Sequence, residues 1–411
     1  MQIVYERCAG LDVHKKTVVA CLLFPEQGQQ HKERQTFSTM TPDLLRLRDW
    51  LKQHGCTHVA MESTGVFWKP IYNLLEGHLE VMVVNAQHIK AVPGRKTDIK
   101  DAEWIADLLQ HGLLRPSFIP PSGPRTLRDL TRSRSTLIEE RSRVIARLQK
   151  TLEDANIKLA SVASDVMGTS AQHMLRALVK GELAPSAMAD FARGRMRAKR
   201  EQLAQALTGH LQPHHGFLIA EHLAHIDGLE QAIDRLSTEI AQRLEPYEEI
   251  LVRLETIPGI KRRLAENILA EIGPEMKQFP SAQHLASWVG MCPGNHESAG
   301  KRLSGKTRKG SQWLRTALVE AAHAASHCKE CYLSAHYHHI AVRRGKKRAA
   351  VALGHTLLVI IYHVIAENKE YEELGGDYLD QLDRQGKEKR LVRQLEKLGF
   401  EVSLTPTSPA A

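Results

Sequence analysis

Cys8-Ala9-Gly10-Leu11-Asp12 is an apolar run that ends on an acid. After Val13-His14-Lys15-Lys16 comes a second β-rich run, Thr17-Val18-Val19-Ala20-Cys21-Leu22-Leu23-Phe24. Two such runs around a short polar break predict a β-hairpin over residues 6–12 and 17–24. Residues 31–39 suit a third strand. Thr41-Pro42-Asp43 opens a helix to about His54, with Leu44, Leu45, Leu47 and Leu51 on its apolar face. A strand over 57–62 follows, then a helix near 66–77 and a strand over 79–85. Pro93-Gly94-Arg95 reads as a loop, and Thr97 as the cap of a helix from Asp98 to about Leu109.

Three meandering strands followed by helix, strand, helix, strand, helix make an α/β order of the ribonuclease-H-like kind. That order gives four carboxylates a common place. Asp12 ends the first strand, and Glu62 ends His58-Val59-Ala60-Met61-Glu62. Asp98 and Asp101 lie three apart on one face of a helix. Acids gathered at one point repel one another unless cations hold them, and oxygen donors suit magnesium. Singly, the acids have plainer readings: Asp98 favours a helix N-terminus, Asp101 pairs with Lys100 or another base, and Asp12 starts a turn. Glu62 resists such a reading, because it ends an apolar strand before Ser63-Thr64-Gly65. Together the four point to metal-assisted chemistry on phosphates, in which magnesium ions activate a nucleophile and stabilise the leaving oxygen.

A chain of 411 residues has room for two or three domains. With 42% apolar and 25% charged residues, it has a soluble, globular composition. No apolar run reaches the roughly 20 residues that span a membrane. Met1-Gln2-Ile3-Val4-Tyr5-Glu6-Arg7 has no signal-peptide core, so the expectation is a cytoplasmic protein with no membrane partner. The net charge of +9 favours an anionic partner. The bases cluster: Arg193, Arg195, Arg197, Lys199 and Arg200; then Lys301, Arg302, Lys306, Arg308, Lys309 and Arg315; then Arg343, Arg344, Lys346, Lys347 and Arg348. One such cluster is commonly a solvated helix face, whereas three in one chain favour nucleic acid.

Residues 115–124, with four prolines and a glycine, mark a domain boundary. Beyond it, Leu127, Leu130, Leu137, Val144, Leu148 and Leu152 give a partial helical stripe. Ile226, Leu229, Ile233, Leu236 and Ile240 give a cleaner 3-4-3-4 seam of the coiled-coil type. Two antiparallel helices of one chain satisfy such a seam, and so do helices of two chains. Ile257-Pro258-Gly259-Ile260 resembles a helix-hairpin-helix turn that offers backbone N–H groups to phosphate, with an ordinary helix-helix turn as the plainer alternative. Helices are expected at about 262–272, 281–289, 311–330, 334–344 and 347–367. Cys8, Cys21 and Cys56 read as buried thiols. Cys328-Lys329-Glu330-Cys331, near several histidines, raises zinc; a single CxxC on a helix running from Ser311 to Cys331 argues against it.

His296-Glu297-Ser298-Ala299-Gly300-Lys301-Arg302-Leu303-Ser304-Gly305-Lys306-Thr307-Arg308-Lys309-Gly310 is a small-residue loop dense in base before a helix. Its glycines let backbone approach a phosphate, and its bases neutralise one. Ser298 or Ser304 is then a candidate nucleophile on phosphorus. The plainer reading is a flexible loop that only binds DNA backbone.

These residues carry a family resemblance. Gly10-Leu11-Asp12-Val13-His14-Lys15, Met61-Glu62-Ser63-Thr64-Gly65 and Lys96-Thr97-Asp98-x-x-Asp101-Ala102 resemble the DEDD motif set of the insertion-sequence-110 transposases, which include the Piv-type DNA invertases. Ile257-Pro258-Gly259-Ile260 and Glu297-Ser298-Ala299-Gly300-Lys301 resemble its C-terminal transposase domain. The likeness runs from about residue 6 to 400 in motif order and is weakest over 155–220. Where some members read Ser-Gly, this chain reads Ser298-Ala299-Gly300.

The resemblance implies a site-specific DNA recombinase or transposase. It implies a RuvC-like DEDD domain over 1–115, in which Asp12, Glu62, Asp98 and Asp101 bind Mg2+. A helical, coiled-coil region over 125–248 follows. A mostly helical transposase domain over 250–370 carries Ser298 as the DNA nucleophile, and 371–411 is a C-terminal helical extension and tail. Lys301, Arg302, Lys306, Arg308, Lys309 and Arg315 would bind nucleic acid. The implied partners are donor and target DNA, a structured bridge RNA and further copies of the chain in a homodimer or homotetramer. The alternative is a RuvC-like, structure-selective nuclease that uses metal-activated water. An actin-like kinase would need a Gly-Thr/Ser turn after Asp12, where this chain has Val13-His14-Lys15-Lys16. A non-enzymatic nucleic-acid-binding protein would need all four acids to be structural.

Overall fold

The computed structural model describes residues 2–26, 29–63, 65–85, 101–181, 183–293, 296–298, 301–307, 309–382 and 384–404, and for 296–298, 301–304, 380, 384–387 and 390 only the backbone. The chain divides into two units, Met1–Pro120 and Pro121–Ala411.

The first unit is mixed α/β. Its elements are β1 Cys8–Val13, β2 Thr17–Glu26, β3 Gln29–Ser38, α1 Thr41–Gln53, β4 His58–Glu62, α2 Trp68–Leu75, β5 Glu80–Val84 and α3 Asp101–Gln110. The five strands lie in the order β3-β2-β1-β4-β5. β1, β2 and β3 form an antiparallel meander, and β4 and β5 add in parallel to β1. Strand alternation divides the core in two. Ala9, Leu11, Val13, Val59, Met61 and Val83 join the leucines of α1 on one face. Cys8, Cys21, Ala60 and Val84 join Ala102, Ile105, Ala106 and Leu109 of α3 on the other. Beyond β5, Pro116 bridges Val84 and the Ser117 N–H donates to the Val83 carbonyl, 2.7 Å away.

The second unit is mostly helical. It runs α4 Ser122–Asp154, α5 Leu159–Val162, α6 Thr169–Lys180, α7 Pro185–Ala189, a 3-10 turn Gly194–Lys199, α8 Arg200–Leu207, α9 Pro213–Leu244, α10 Glu248–Glu255, α11 Arg262–Ile272 and α12 Ala282–Val289. The ribbon β6 His296–Ser298 with β7 Lys301–Ser304 follows, then α13 Gln312–Ala325, α14 Tyr332–Arg344, α15 Lys346–Ala366, α16 Tyr378–Leu382 and α17 Arg384–Lys397. α4 and α9 pack antiparallel, as the pairs Glu140–His225, Arg141–Glu230 and Asp154–His215 show. The seam residues Ile226, Leu229, Ile233 and Ile240 are buried within the chain. Val144, Leu148 and Leu152 of α4 and Ile219, Leu223 and Ile226 of α9 share a core with the small helices between them.

Two expectations change. The helix expected over 311–330 stops at Ala325, where the Ser326 hydroxyl donates to the His323 carbonyl. Cys328 therefore lies in a turn, and Cys331 caps α14, its Sγ accepting the Ser334 N–H. The continuous-helix argument against zinc fails for that reason. Among the described residues, however, the CxxC belongs to no cluster of potential metal ligands. Secondly, α15 is long and apolar enough, by length and composition, to cross a membrane. Ala349, Leu353, Leu357, Leu358 and Ile361 are buried, and α15 packs on α12, α13 and α14 as a core helix. The Ile257–Ile260 turn takes the plainer of its two readings, an ordinary packing turn. Ile257 and Ile260 are buried, and both of their N–H groups bond locally. Gly259 has φ +88°, and a Cβ there would sit 2.4 Å from the Ala321 carbonyl of α13.

Candidate functional site

The acid site is built by register and alternation. Leu11 pairs with Met61 across the parallel strands, so the next residues, Asp12 and Glu62, lie side by side. Leu11 and Met61 face the α1 core; by alternation Asp12 and Glu62 face α3. α3 lies tight on that face. A Cβ on Gly10 would meet the Ala102 carbonyl at 2.2 Å and the Ala106 nitrogen at 2.4 Å, so only glycine lets the helix approach so closely. Glu103 of α3 also pairs with Lys32 (2.7 Å) and Arg34 (3.0 Å) of β3. This seating brings Asp101, first in α3 and next to Ala102, to the strand-end acids.

Three of the four expected acids thus come to one end of the sheet, each half-buried. Asp98, with its expected cap Thr97, lies outside the described residues. His14 Nε2 hydrogen-bonds Asp12 Oδ2 at 3.1 Å. No role for His14 came from the sequence, although it stands two residues after Asp12, just past the end of β1. Half-buried carboxylate oxygens from two strand ends and a helix start suit a hard divalent cation, which prefers oxygen donors.

The expected serine loop is partly a β-ribbon. β6 pairs antiparallel with β7, Ser298 opposite Lys301, and Pro293 bridges Thr307 at its base. The side chains of Ser298, Lys301, Arg302 and Ser304 are outside the description, and Arg308 is outside the described residues altogether. Beyond the ribbon, Lys309, Gly310, Gln312, Arg315 and Thr316 line a groove. The ribbon's far end is pinned. A Cβ on Gly310 would sit 2.2 Å from the Val289 carbonyl, and the Ser311 hydroxyl donates to the buried Glu271 at 3.1 Å. Glu271 in turn receives Arg132 at 2.7 Å. Trp313 is 39% exposed and lies 5.8 Å from the Arg132 guanidinium. The neighbouring arginine covers it with a cation–π contact.

Residues 9–157 match the DEDD transposase family of IS110, and 252–338 match the transposase family IS116/IS110/IS902. The first match spans all four acids, the second Ser298. The chain belongs to the IS110 transposase family. The pilin gene-inverting protein of Moraxella lacunata is 23% identical over 380 residues, 89% of this chain and 97% of its own. A probable family 20 transposase of Pseudomonas aeruginosa is 25% identical over 287 residues, 69% of this chain and 75% of its own. The transposase for insertion sequence element IS1111A of Coxiella burnetii is 24% identical over 326 residues, 77% and 79%. The protein is a DNA transposase/recombinase enzyme of the insertion-element type, with DNA as its substrate.

One further group of this transposase could hold a metal: Asp154, His214 and His215, whose ligand atoms lie within 4.8 Å of one another. A structural role accounts for it. The buried His215 closes a capping box at the start of α9. Its Nδ1 accepts the Gln212 N–H, which leaves the Nε2 proton for Asp154.

Proposed function

We propose that this transposase breaks and rejoins DNA with the Ser298 hydroxyl as nucleophile, assisted by a magnesium-binding carboxylate cluster of Asp12, Glu62, Asp98 and Asp101. The N-terminal unit is read as ribonuclease-H/RuvC-like, because a 3-2-1-4-5 order with an antiparallel first half and parallel second half is the order that fold requires. The observation that carries the reading is the pairing of Asp12 with Glu62 opposite the start of α3. These carboxylates would hold Mg2+, which supplies charge neutralisation at the phosphate and a lowered pKa for a bound hydroxyl. The chain's own part is positional: strand ends and helix fix the oxygens, and His14 steadies Asp12. Lys301, Arg302, Lys306, Arg308, Lys309 and Arg315 bind the DNA backbone near the serine. A structured bridge RNA as guide, and a homodimer or homotetramer as working unit, rest on the family resemblance. So do the finer divisions of the second unit at about 248 and 370.

The test is adduct formation on denaturing gels with end-labelled DNA. Wild type should trap a covalent protein–DNA species that Ser298→Ala abolishes. Asp12→Asn should slow strand breakage on the order of a thousandfold, the loss of several kcal/mol of electrostatic stabilisation. An adduct that persists in Ser298→Ala removes the serine from this role. Free hydrolysed ends with no adduct would instead establish a water-using nuclease. Sequencing RNA that co-purifies with the protein tests the guide: one structured species supports it, and none removes it.

A further inference from the structure

We propose that the turn joining α14 to α15, Arg343-Arg344-Gly345-Lys346-Lys347-Arg348, is a second nucleic-acid contact, a clamp on phosphodiester backbone separate from the serine ribbon. It deepens the reading of this chain as a DNA-acting recombinase and rests on it. All six residues are exposed. Among the described residues, none of the five basic side chains has a hydrogen-bond or ion-pair partner. Nor is an acid nearby in sequence, since no Asp or Glu occurs between Glu330 and Glu367. Bases elsewhere are partly engaged within the fold. Arg200 pairs with Asp190 at 3.0 Å, Lys199 donates to the Val162 carbonyl at 3.1 Å, and Arg262 pairs with Glu248 at 2.6 Å.

The placement of the charges sharpens the point. Arg343 and Arg344 end α14, where the helix dipole favours cations. Lys346, Lys347 and Arg348 occupy the first turn of α15, where the dipole opposes them. Gly345, at φ +82°, folds the chain sharply enough to bring both runs to one corner. Five cations gather at one corner, and the three in α15 stand against the helix field with no stabilising role within the chain. A polyanion supplies the missing countercharge. Lipid headgroups also carry phosphate, but membrane binding needs apolar burial beside the cations. Here Val342 is the one large apolar side chain exposed at the turn, and the apolar face of α15 is buried in the core.

Counterion release gives the measurement. Each duplex phosphate contact adds about 0.9 to the slope of log affinity against log salt, and each single-strand contact about 0.7. The full-length wild type and the K346Q/K347Q/R348Q variant are titrated against labelled duplex DNA, single-stranded DNA and hairpin RNA over a salt series. The variant's slope should fall by roughly 2.7 on duplex or roughly 2.1 on single strands, which identifies the strand form engaged. A charge-matched control, R143Q/K158Q/R243Q, removes bases paired with Glu139, Glu153 and Glu239 and should leave the slope unchanged. The turn variant should melt no lower than wild type, because it removes cations from a helix N-terminus. An unchanged slope in the turn variant, or an equal fall in the control, overturns the clamp. So does loss confined to binding of anionic lipid vesicles, which would make the turn a membrane contact. Asp12→Asn should bind with the wild-type slope while failing to cut, so failure of the clamp and failure of the recombinase reading show separately.

Discussion

Gly10 is the residue on which the acid site most depends, though it has no side chain. It is where α3 meets β1, so it sets how far Asp101 stands from Asp12. Gly10→Ala puts a methyl group against the Ala102 carbonyl, and overpacking of this kind costs about 3 kcal/mol. Denaturant unfolding should show that loss, together with weaker DNA cleavage at temperatures where the variant stays folded. Asp12 and Glu62 were legible in the sequence because strand ends and strand alternation are local properties. Gly10 was not, because its constraint comes from a helix far along the chain. The thiols follow the same local logic. Burial pushes Cys8 and Cys56 up to about 12 and Cys21 to about 11, so all three stay protonated near neutral pH. An alkylating reagent on the native protein at pH 8 should modify Cys292 and Cys328, which are partly exposed, and spare those three, read by peptide mass.

At the scale of elements, α4 explains why its stripe read as broken. The buried face continues through Thr131 and Arg134, which apolar patterning does not count. Arg134 is 2% exposed; it donates to Glu266 Oε2 at 2.6 Å and to Asn267 Oδ1 at 3.0 Å on α11. Such a pair adds little net stability while intact, but removing one partner strands a buried charge. Glu266→Ala should therefore destabilise the second unit by about 3–5 kcal/mol in urea unfolding. Replacing the exposed partner of an ordinary surface pair, as in Glu139→Ala, should cost about 0.5 kcal/mol or less. The α9 seam, by contrast, was legible because all five of its positions are apolar. What sequence left open was its partner, which proves to be α4. The end of α13 was illegible for a different reason. Ser326 bonds backward to the helix it terminates, and that competition does not show in a run of helix-favouring residues.

Over the whole molecule, the two units keep separate cores: α1, α3 and the sheet in one, α4, α9 and the small helices in the other. The division of the two units at Pro120–Pro121 falls inside the proline-rich stretch at 115–124, where missing N–H groups disfavour a continuous element. A fragment of residues 1–120 should fold alone, unfolding in a single cooperative transition by circular dichroism. The sheet inside it has two edges of different kinds. At β5 the edge is taken up by Pro116 and Ser117. At β3 the edge is open, but its first seven residues run Gln29-Gln30-His31-Lys32-Glu33-Arg34-Gln35 and are exposed. Hydrated charge on an open edge resists pairing with the edge of another molecule, and proline caps the opposite one. Many copies crowded together therefore find no ready pairing edge on this five-stranded sheet. Valine at both Lys32 and Arg34 should remove that protection, visible as light scattering that grows with protein concentration and time.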